Sequence, residues 1–262
     1  MQYLRHSKKI LFLIKLVLLT FLCPFADDAY ANLTAKANHD HITIDSFYHG
    51  STVSIRGIAE PGMDLIIKVS SEDTRQSLRQ KGKVAGLLWM TVGELQLDHV
   101  PNVYEVYSTK NIDDILNKDE IDRYGLGYQA IERHASMNVS GVERTKWFNE
   151  FVRFKEASSL YSTSTGKISL ADKDGKQSYY ILTQWPYQAP PSNYTVTVYA
   201  VKNGKVIETA SDHVLVEQVG VVKTLAAMAH NNGAVYGLIS IIAALGAGFG
   251  VGLVFTKQGG AH

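Results

Sequence analysis

The sequence holds almost no cysteine. Its single cysteine, Cys23, lies in an N-terminal stretch that carries the features of an export signal. Once that stretch is removed, the chain can form no internal disulfide and offers neither a thiol nucleophile nor a cysteine ligand for a metal. The remaining residues are numerous enough to bury a core without such cross-links. We therefore expect an exported domain that is held together by packing alone.

The chain also has no excess of charge of either sign. It carries 26 basic and 25 acidic residues, a formal net charge of +1, and the first 31 residues contribute four of the basic and two of the acidic ones. The remainder is therefore close to neutral, at a formal −1. A nucleic-acid-binding domain needs a clustered basic surface. The sequence predicts no nucleic-acid partner.

Catalytic signatures are missing as well. The sequence contains no GxSxG, no HExxH and no phosphate-binding loop. Residues 125–130 match the GxGxxA form of a dinucleotide fingerprint, but the charged segment DEIDRY stands where that motif requires a buried strand. No nucleophile, base and orienting group can be named together. We predict that the protein is not an enzyme and that it holds no cofactor.

Two apolar stretches indicate how the chain is placed. Residues 1–31 combine a basic start, a short apolar run and a small-x-small site ending at Ala31, which is typical of a signal peptide, with an uncleaved anchor as the alternative. Residues 233–255 are 23 consecutive residues without a charge, and a helix of this length crosses the roughly 30 Å hydrocarbon layer of a bilayer. They predict a transmembrane helix, followed by a tail at 256–262. A buried helix of a soluble protein is the alternative, but such helices are usually shorter and carry a polar stripe.

The predicted transmembrane helix carries four alternating glycines. Gly246 and Gly250 are spaced by four residues, and so are Gly248 and Gly252. Small residues at this spacing let two helix backbones approach closely within a membrane. The pattern favours close helix packing, with a partner's span or with a second copy, over the alternative that glycine is simply common in membrane helices.

Between these stretches the residues predict a mainly β domain. Alternating apolar residues and turn signals over residues 41–218 favour an antiparallel, immunoglobulin-like β-sandwich, preceded by a loose polar leader at 32–40. Asn203-Gly204 predicts a hairpin, because both residues tolerate the positive φ of a type I′ turn.

Two further β predictions concern the first half of the domain. Residues 41–58 alternate about a turn at 49–51 and predict another hairpin. Residues 84–92 are apolar almost throughout and predict a buried strand centred on Trp89.

Helical spacing appears in two places. Residues 111–160 predict a helical insertion that ends in an amphipathic helix, with Trp147, Phe151 and Phe154 on its apolar face. We expect this helix to cap one end of the β-structure rather than to bind a partner. Residues 219–232 predict a juxtamembrane helix that lies at the membrane interface.

Histidines offer the one candidate metal site. His39 and His41 are two residues apart, His49 follows closely, and neutral imidazoles on one face of a strand suit copper or zinc. However, His39 lies near the polar leader, and no second cluster completes the coordination. A solvated polar segment is the simpler interpretation, and a metal-binding or metal-delivery module remains the alternative function.

Several short motifs, taken together, resemble the Alph_Pro_TM family of proteobacterial transmembrane proteins. The matching segments, in order, are residues 53–57, 82–90, 100–104, 108–109, 194–199 and 236–237. The resemblance covers nearly the whole chain after the signal and departs from the family in the polar stretch at about 133–144. It implies a signal-bearing, single-span protein, often encoded beside permeases of the sulfite or organosulfonate exporter type. It supplies no catalytic residues.

Signal, span and resemblance together predict the topology and the function, that of an accessory or interaction subunit of an inner-membrane permease, which the resemblance links to the export of sulfite or another small anion. We expect a bacterial inner-membrane protein with a single pass, most of its chain in the periplasm and its C-terminus in the cytoplasm. Lys257 gives weak positive-inside support for this orientation, since Lys223 lies on the other flank. The expected partners are the lipid bilayer and an inner-membrane permease, or a second copy, contacted through the transmembrane helix.

Overall fold

The structure, a computed structural model, describes residues 33–173 and 175–256. The predicted signal peptide and the residues after Thr256 lie outside the described residues. Strands account for 47% of the structure and helices for 30%, and the described chain ends in one apolar helix. The strands are β1 (Lys36–Ala37), β2 (His41–Ile44), β3 (Ser51–Ala59), β4 (Asp64–Ser71), β5 (Asp73–Val84), β6 (Leu88–Pro101), β7 (Tyr104–Ser108), β8 (Ser136–Met137), β9 (Tyr161–Thr165), β10 (Ser169–Lys173), β11 (Lys176–Trp185), β12 (Ser192–Lys202) and β13 (Lys205–Gln218).

Helices fill the middle and the end of the chain. They are α1 (Ile112–Ile115), α2 (Lys118–Arg123), α3 (Tyr128–His134), α4 (Val142–Ala157), α5 (Gly220–Asn231) and α6 (Gly233–Thr256). The first four lie inside the predicted helical insertion. The last two correspond to the predicted juxtamembrane and transmembrane helices.

The described strands form three sheets. Sheet A has the order β1-β3-β11-β10, sheet B has β2-β13-β12-β4-β7-β9, and sheet C has β5-β6-β8. Most neighbouring strands are antiparallel, whereas β2 runs parallel to β13 and β7 parallel to β9. The prediction of a mainly β fold with one C-terminal apolar helix is confirmed. The strand orders do not establish the immunoglobulin-like topology, and the two parallel pairs depart from a purely antiparallel arrangement.

Sheets A and B share one hydrophobic core. Alternate residues of β3 and β12 are fully buried, among them Ile55 and Val196, because side chains on a strand point to opposite faces in turn. Trp185 of sheet A meets Tyr194 of sheet B edge to face, with ring centroids 4.9 Å apart. The two sheets therefore pack face to face.

The helical insertion covers part of the other side of sheet B. All five residues of β7 are buried, which requires a layer on each face of the strand. Tyr104 points toward the helices and donates a hydrogen bond to the carbonyl of Gly125 at 2.8 Å. Helix α4 buries Phe148, Phe151 and Val152. The predicted capping role of α4 agrees with this packing, but its buried face is rotated from the predicted one, since Phe154 is 54% exposed.

Two local predictions are wrong for the same reason. Residues 41–58 do not form a hairpin: β2 pairs with β13, while β3 pairs with β1 and β11 in the other sheet. The polar leader is not loose, because it contains β1 and buries Leu33 and Ala37. In both cases the partner strand is not the one that the local pattern indicated, since His41 of β2 lies opposite Leu215 and Lys36 of β1 lies opposite Arg56.

The hairpin predicted at Asn203-Gly204 is confirmed. The two residues have φ of 54° and 78° and connect Lys202 of β12 to Lys205 of β13. The turn also holds the helical insertion, because the carbonyl of Gly204 accepts a hydrogen bond from the Asn117 amide at 3.0 Å. A Cβ at Gly204 would lie 2.7 Å from the side-chain oxygen of Asn117.

We expect Gly204→Ala to destabilise the domain more than Gly62→Ala. Both glycines have positive φ, which costs an alanine roughly 1–2 kcal/mol. A Cβ at Gly62 meets no atom within 4 Å, so only Gly204→Ala also requires the exposed side chain of Asn117 to move aside, a small additional cost. Thermal unfolding of the full chain in detergent, followed by tryptophan fluorescence, measures both variants. Equal melting temperatures would show that the contact with Asn117 costs nothing.

Candidate functional site

A long two-stranded arm is the most unusual feature of the domain. Strands β4 and β7 pair within sheet B as far as Ser70 opposite Tyr104, and β5 and β6 continue the hairpin from Asp73 opposite Pro101. We call residues 73–101 the arm. Its first strand has 12 residues, which gives a length of roughly 40 Å at the usual rise of a strand.

The base of the arm is packed against the domain. Leu95 and Leu97 are fully buried, and Leu97 pairs with Met137 of β8. The backbone of Gly93 runs beside α4, since a Cβ there would lie 3.2 Å from the ring of Trp147. These contacts fix the arm where it leaves the core.

The outer part of the arm is apolar and exposed. We call residues 81–92 the distal arm. Leu87, Leu88 and Trp89 are 83%, 66% and 68% exposed. The prediction of a buried strand centred on Trp89 is therefore wrong. An apolar run of nine residues indicates a segment whose contact with water is unfavourable. It does not indicate whether the segment is buried by its own domain or by something else.

The distal arm has two chemically different faces. Its aliphatic face carries the pair Val84 and Leu88, then Met90 opposite Gly82, with Val92 against that glycine. Its other face carries Lys83 opposite Trp89 and Lys81 opposite Thr91. The Lys83 ammonium lies 5.6 Å from the centre of the Trp89 ring, and the Lys81 ammonium donates to the Thr91 hydroxyl at 2.9 Å. A cation and an aromatic ring are therefore in contact on one face of the distal arm, and the opposite face is aliphatic.

A tight turn ends the distal arm. Ala85 and Gly86 have φ of 52° and 73°, the positive values of a type I′ turn. The Leu87 amide donates to the carbonyl of Val84 at 3.2 Å and closes the turn. Leu87 is thereby held at the apex with its side chain in solvent.

The second exposed apolar surface is α6. Among the described residues it is the one helix long and apolar enough to cross a membrane, over Gly233–Leu253, and none of that stretch is buried within the protein. A Cβ added at Gly246, Gly248, Gly250 or Gly252 would meet no atom within 4 Å. The glycine faces thus offer space for the close approach of another helix.

The structure does not bring the three candidate histidines together in a metal site. His41 lies on β2, and its Nε2 is 2.9 Å from the Glu217 carboxylate. His39 and His49 are exposed and lie outside the strands. Within residues 33–173 and 175–256 no group of three or more histidine, cysteine, aspartate or glutamate side chains could hold a metal ion. Geometry therefore gives the metal-module alternative no support.

The dinucleotide-like glycines have a structural explanation. Gly125 and Gly127 both adopt positive φ, at 59° and 85°, and fold around the hydroxyl of Tyr104. That hydroxyl accepts a hydrogen bond from the Gly127 amide at 2.6 Å and donates to Gly125. The Gly127 amide, which would face a phosphate in a nucleotide site, is here bonded to a tyrosine.

A carboxyl group lies buried between the two main sheets. Glu105 of β7 is 4% exposed and accepts hydrogen bonds from the hydroxyls of Tyr107, at 3.0 Å, and Thr183, at 3.4 Å. Burial raises the pKa of the Glu105 carboxyl to about 7, although the two hydrogen bonds oppose the rise. Sequence reasoning missed this group. Its signal was an acidic residue flanked by tyrosines and valine within an otherwise apolar strand.

We expect Glu105→Gln to stabilise the domain increasingly as pH rises from about 4.5 to about 7. An unfolded carboxyl ionises near 4.5, whereas the folded one stays protonated until about 7, so wild type loses stability through that window. Above this pH range the difference in free energy of unfolding between Glu105→Gln and wild type should become constant, on the order of 3 kcal/mol. Melting temperatures measured across this range check the trend. Glu143→Gln, at an exposed carboxyl, is the control, and a parallel rise there would contradict the assignment.

The fold and the span define a class: a membrane protein with a β-rich domain and, within residues 33–173 and 175–256, one candidate transmembrane helix. The chain belongs to the family described as Putative transmembrane protein (Alph_Pro_TM), whose model matches residues 32–257. The predicted resemblance is thus confirmed. No curated protein and no solved structure matches the chain.

Proposed function

We propose that this protein is an accessory subunit of an inner-membrane permease that exports sulfite or a related small anion. It acts by binding the permease rather than by catalysis. The observation that carries the proposal is α6, a span with open glycine faces and no cover from its own domain. Without a hydrophobic effect between helices in lipid, close backbone packing is what pairs them.

The domain provides the second half of this role. In the proposed topology the signal exports it, α6 stops transfer, and the β-domain stands at the periplasmic surface beside the exit of the permease. The edges of its sheets and the helical insertion then contact periplasmic loops of the partner. A homodimer formed through the same glycines is the competing arrangement, since the motif does not select its partner.

The partner test compares two pairs of leucine substitutions in α6. Gly246→Leu/Gly250→Leu fills one glycine face, and we expect the permease to be lost when the protein is purified from native membranes in mild detergent. Leucine raises helix propensity over glycine, so the span itself is not weakened. Ala244→Leu/Ala247→Leu adds nearly as much bulk on another face and should retain the partner.

Two results would overturn the proposal. One is that no permease accompanies the wild-type protein. The other is that the glycine pair and the control pair retain equal amounts of partner. Loss of a second, differently tagged copy of the chain in the same comparison would instead identify the homodimer.

The topology has its own test. Alkaline phosphatase folds only outside the cytoplasm, so we expect a fusion after His262 to be inactive and a fusion after Asn231, which omits α6, to be active. Green fluorescent protein at the same C-terminal position should fluoresce. An active phosphatase after His262 would reverse the orientation.

A further inference from the structure

We propose that the distal arm inserts its tip into the interface of the lipid bilayer that α6 crosses. The inference needs only the membrane span of this chain. It does not depend on a permease or on which side of the membrane the domain lies.

The register of sheet B places the arm at the end of the domain from which the chain leads to α6. Ser71, the last residue of β4, pairs with Tyr194, and Tyr194 pairs with Val214. Strand β13 then continues to Gln218 and leads through α5 into the span. Since β5 begins at Asp73, the arm leaves sheet B at the end from which the chain proceeds to the membrane.

The length of α5 and the length of the arm are both compatible with contact between the distal arm and the bilayer. Helix α5 has 12 residues, about 18 Å of helix between the end of the sheet and the start of α6. The arm extends for roughly 40 Å from the same end. The arm is therefore longer than α5, and it is long enough to reach the bilayer whether α5 extends from the domain or lies along the membrane interface.

The chemistry of the distal arm suits the bilayer interface better than the surface of a protein. Residues 81–92 hold two lysines and no acidic residue, so the arm complements anionic lipid headgroups. Tryptophan concentrates where apolar and wet layers meet, and Lys83 beside Trp89 can keep its ammonium among the headgroups. The aliphatic face and Leu87 at the apex then enter the acyl-chain boundary.

Helix α6 favours the contact between the distal arm and the lipid, because it already holds the domain at the bilayer. Because α6 holds the domain at the membrane, the distal arm meets lipid at high local concentration without waiting for a partner. A weakly inserting tip is then sufficient. A protein partner that α6 does not already hold would have to be met separately.

The experiment places a fluorescent reporter at the tip. The full chain is purified on a Cys23→Ser background, Leu87→Cys is labelled with an environment-sensitive NBD dye, and the protein is reconstituted into vesicles of phosphatidylcholine and phosphatidylglycerol. The reference is the same labelled protein kept in solution by amphipol, without lipid or detergent. Relative to that reference, we expect the dye in vesicles to emit at shorter wavelength and several-fold more brightly. Lipids with a quencher near the headgroup end of the acyl chain should quench the dye more than lipids quenched near the methyl end.

Two matched variants give the result its meaning. Ile207→Cys carries the same dye at an exposed position near the opposite end of sheet B, and it should report water in both media. Lys81→Glu/Lys83→Glu, combined with Leu87→Cys, should lose most of the quenching in vesicles that contain phosphatidylglycerol. Melting temperatures of all variants exclude unfolding as the cause.

Three outcomes would overturn the inference. In the first, the emission of the dye at the tip shows that it remains in water in vesicles. In the second, the emission shift depends on protein concentration and lipid quenchers have no effect. In the third, the emission shifts only when a membrane extract supplies other proteins. The last two identify a second copy and a protein partner as the occupant. Because the vesicles contain no permease, failure of the accessory-subunit proposal leaves this measurement unaffected.

Discussion

The pairing of β4 with β7 is the interaction on which the rest of the structure depends. On one side of β7, Glu105 and Tyr107 face sheet A, where they bond with Thr183. On the other side, Tyr104 anchors the turn of the helical insertion through Gly125 and Gly127. The same two strands then leave the sheet as the arm. One hairpin thus joins both layers of the core and carries the exposed apolar residues of the distal arm.

The central position of this hairpin explains why polar groups are buried there. Lys155 of α4 is 4% exposed and donates to the carbonyl of Asn102, where the arm returns to β7, at 3.1 Å. Burial lowers the pKa of the Lys155 ammonium to about 8. Like Glu105, it costs stability in its charged form but satisfies a specific partner. Such groups discriminate against alternative packings, because an unpaired buried charge is expensive.

Two apolar surfaces without cover therefore distinguish this protein from a soluble β-domain. One is the span, and the other is the distal arm, which leaves sheet B at the end that leads to the span. Exposed apolar area of this extent marks contact with a membrane or another protein. A domain that is held by α6 and touches the bilayer through the arm would be restrained in tilt as well as in distance. That restraint would present the same face to any neighbour in the membrane.

The sequence by itself determined features that depend on neighbouring residues: the apolar span, the mainly β character and the Asn203-Gly204 hairpin. Their physics is local, since span length, alternation and positive φ are properties of short segments. Only the tertiary structure decided that β2 pairs with β13 and that Trp89 is exposed. The same strand pattern is satisfied by any partner strand, and the same apolar run by a core, a lipid layer or another protein. Which of these covers a segment depends on residues far away in the chain, and the distal arm is the case where the domain itself supplies no cover.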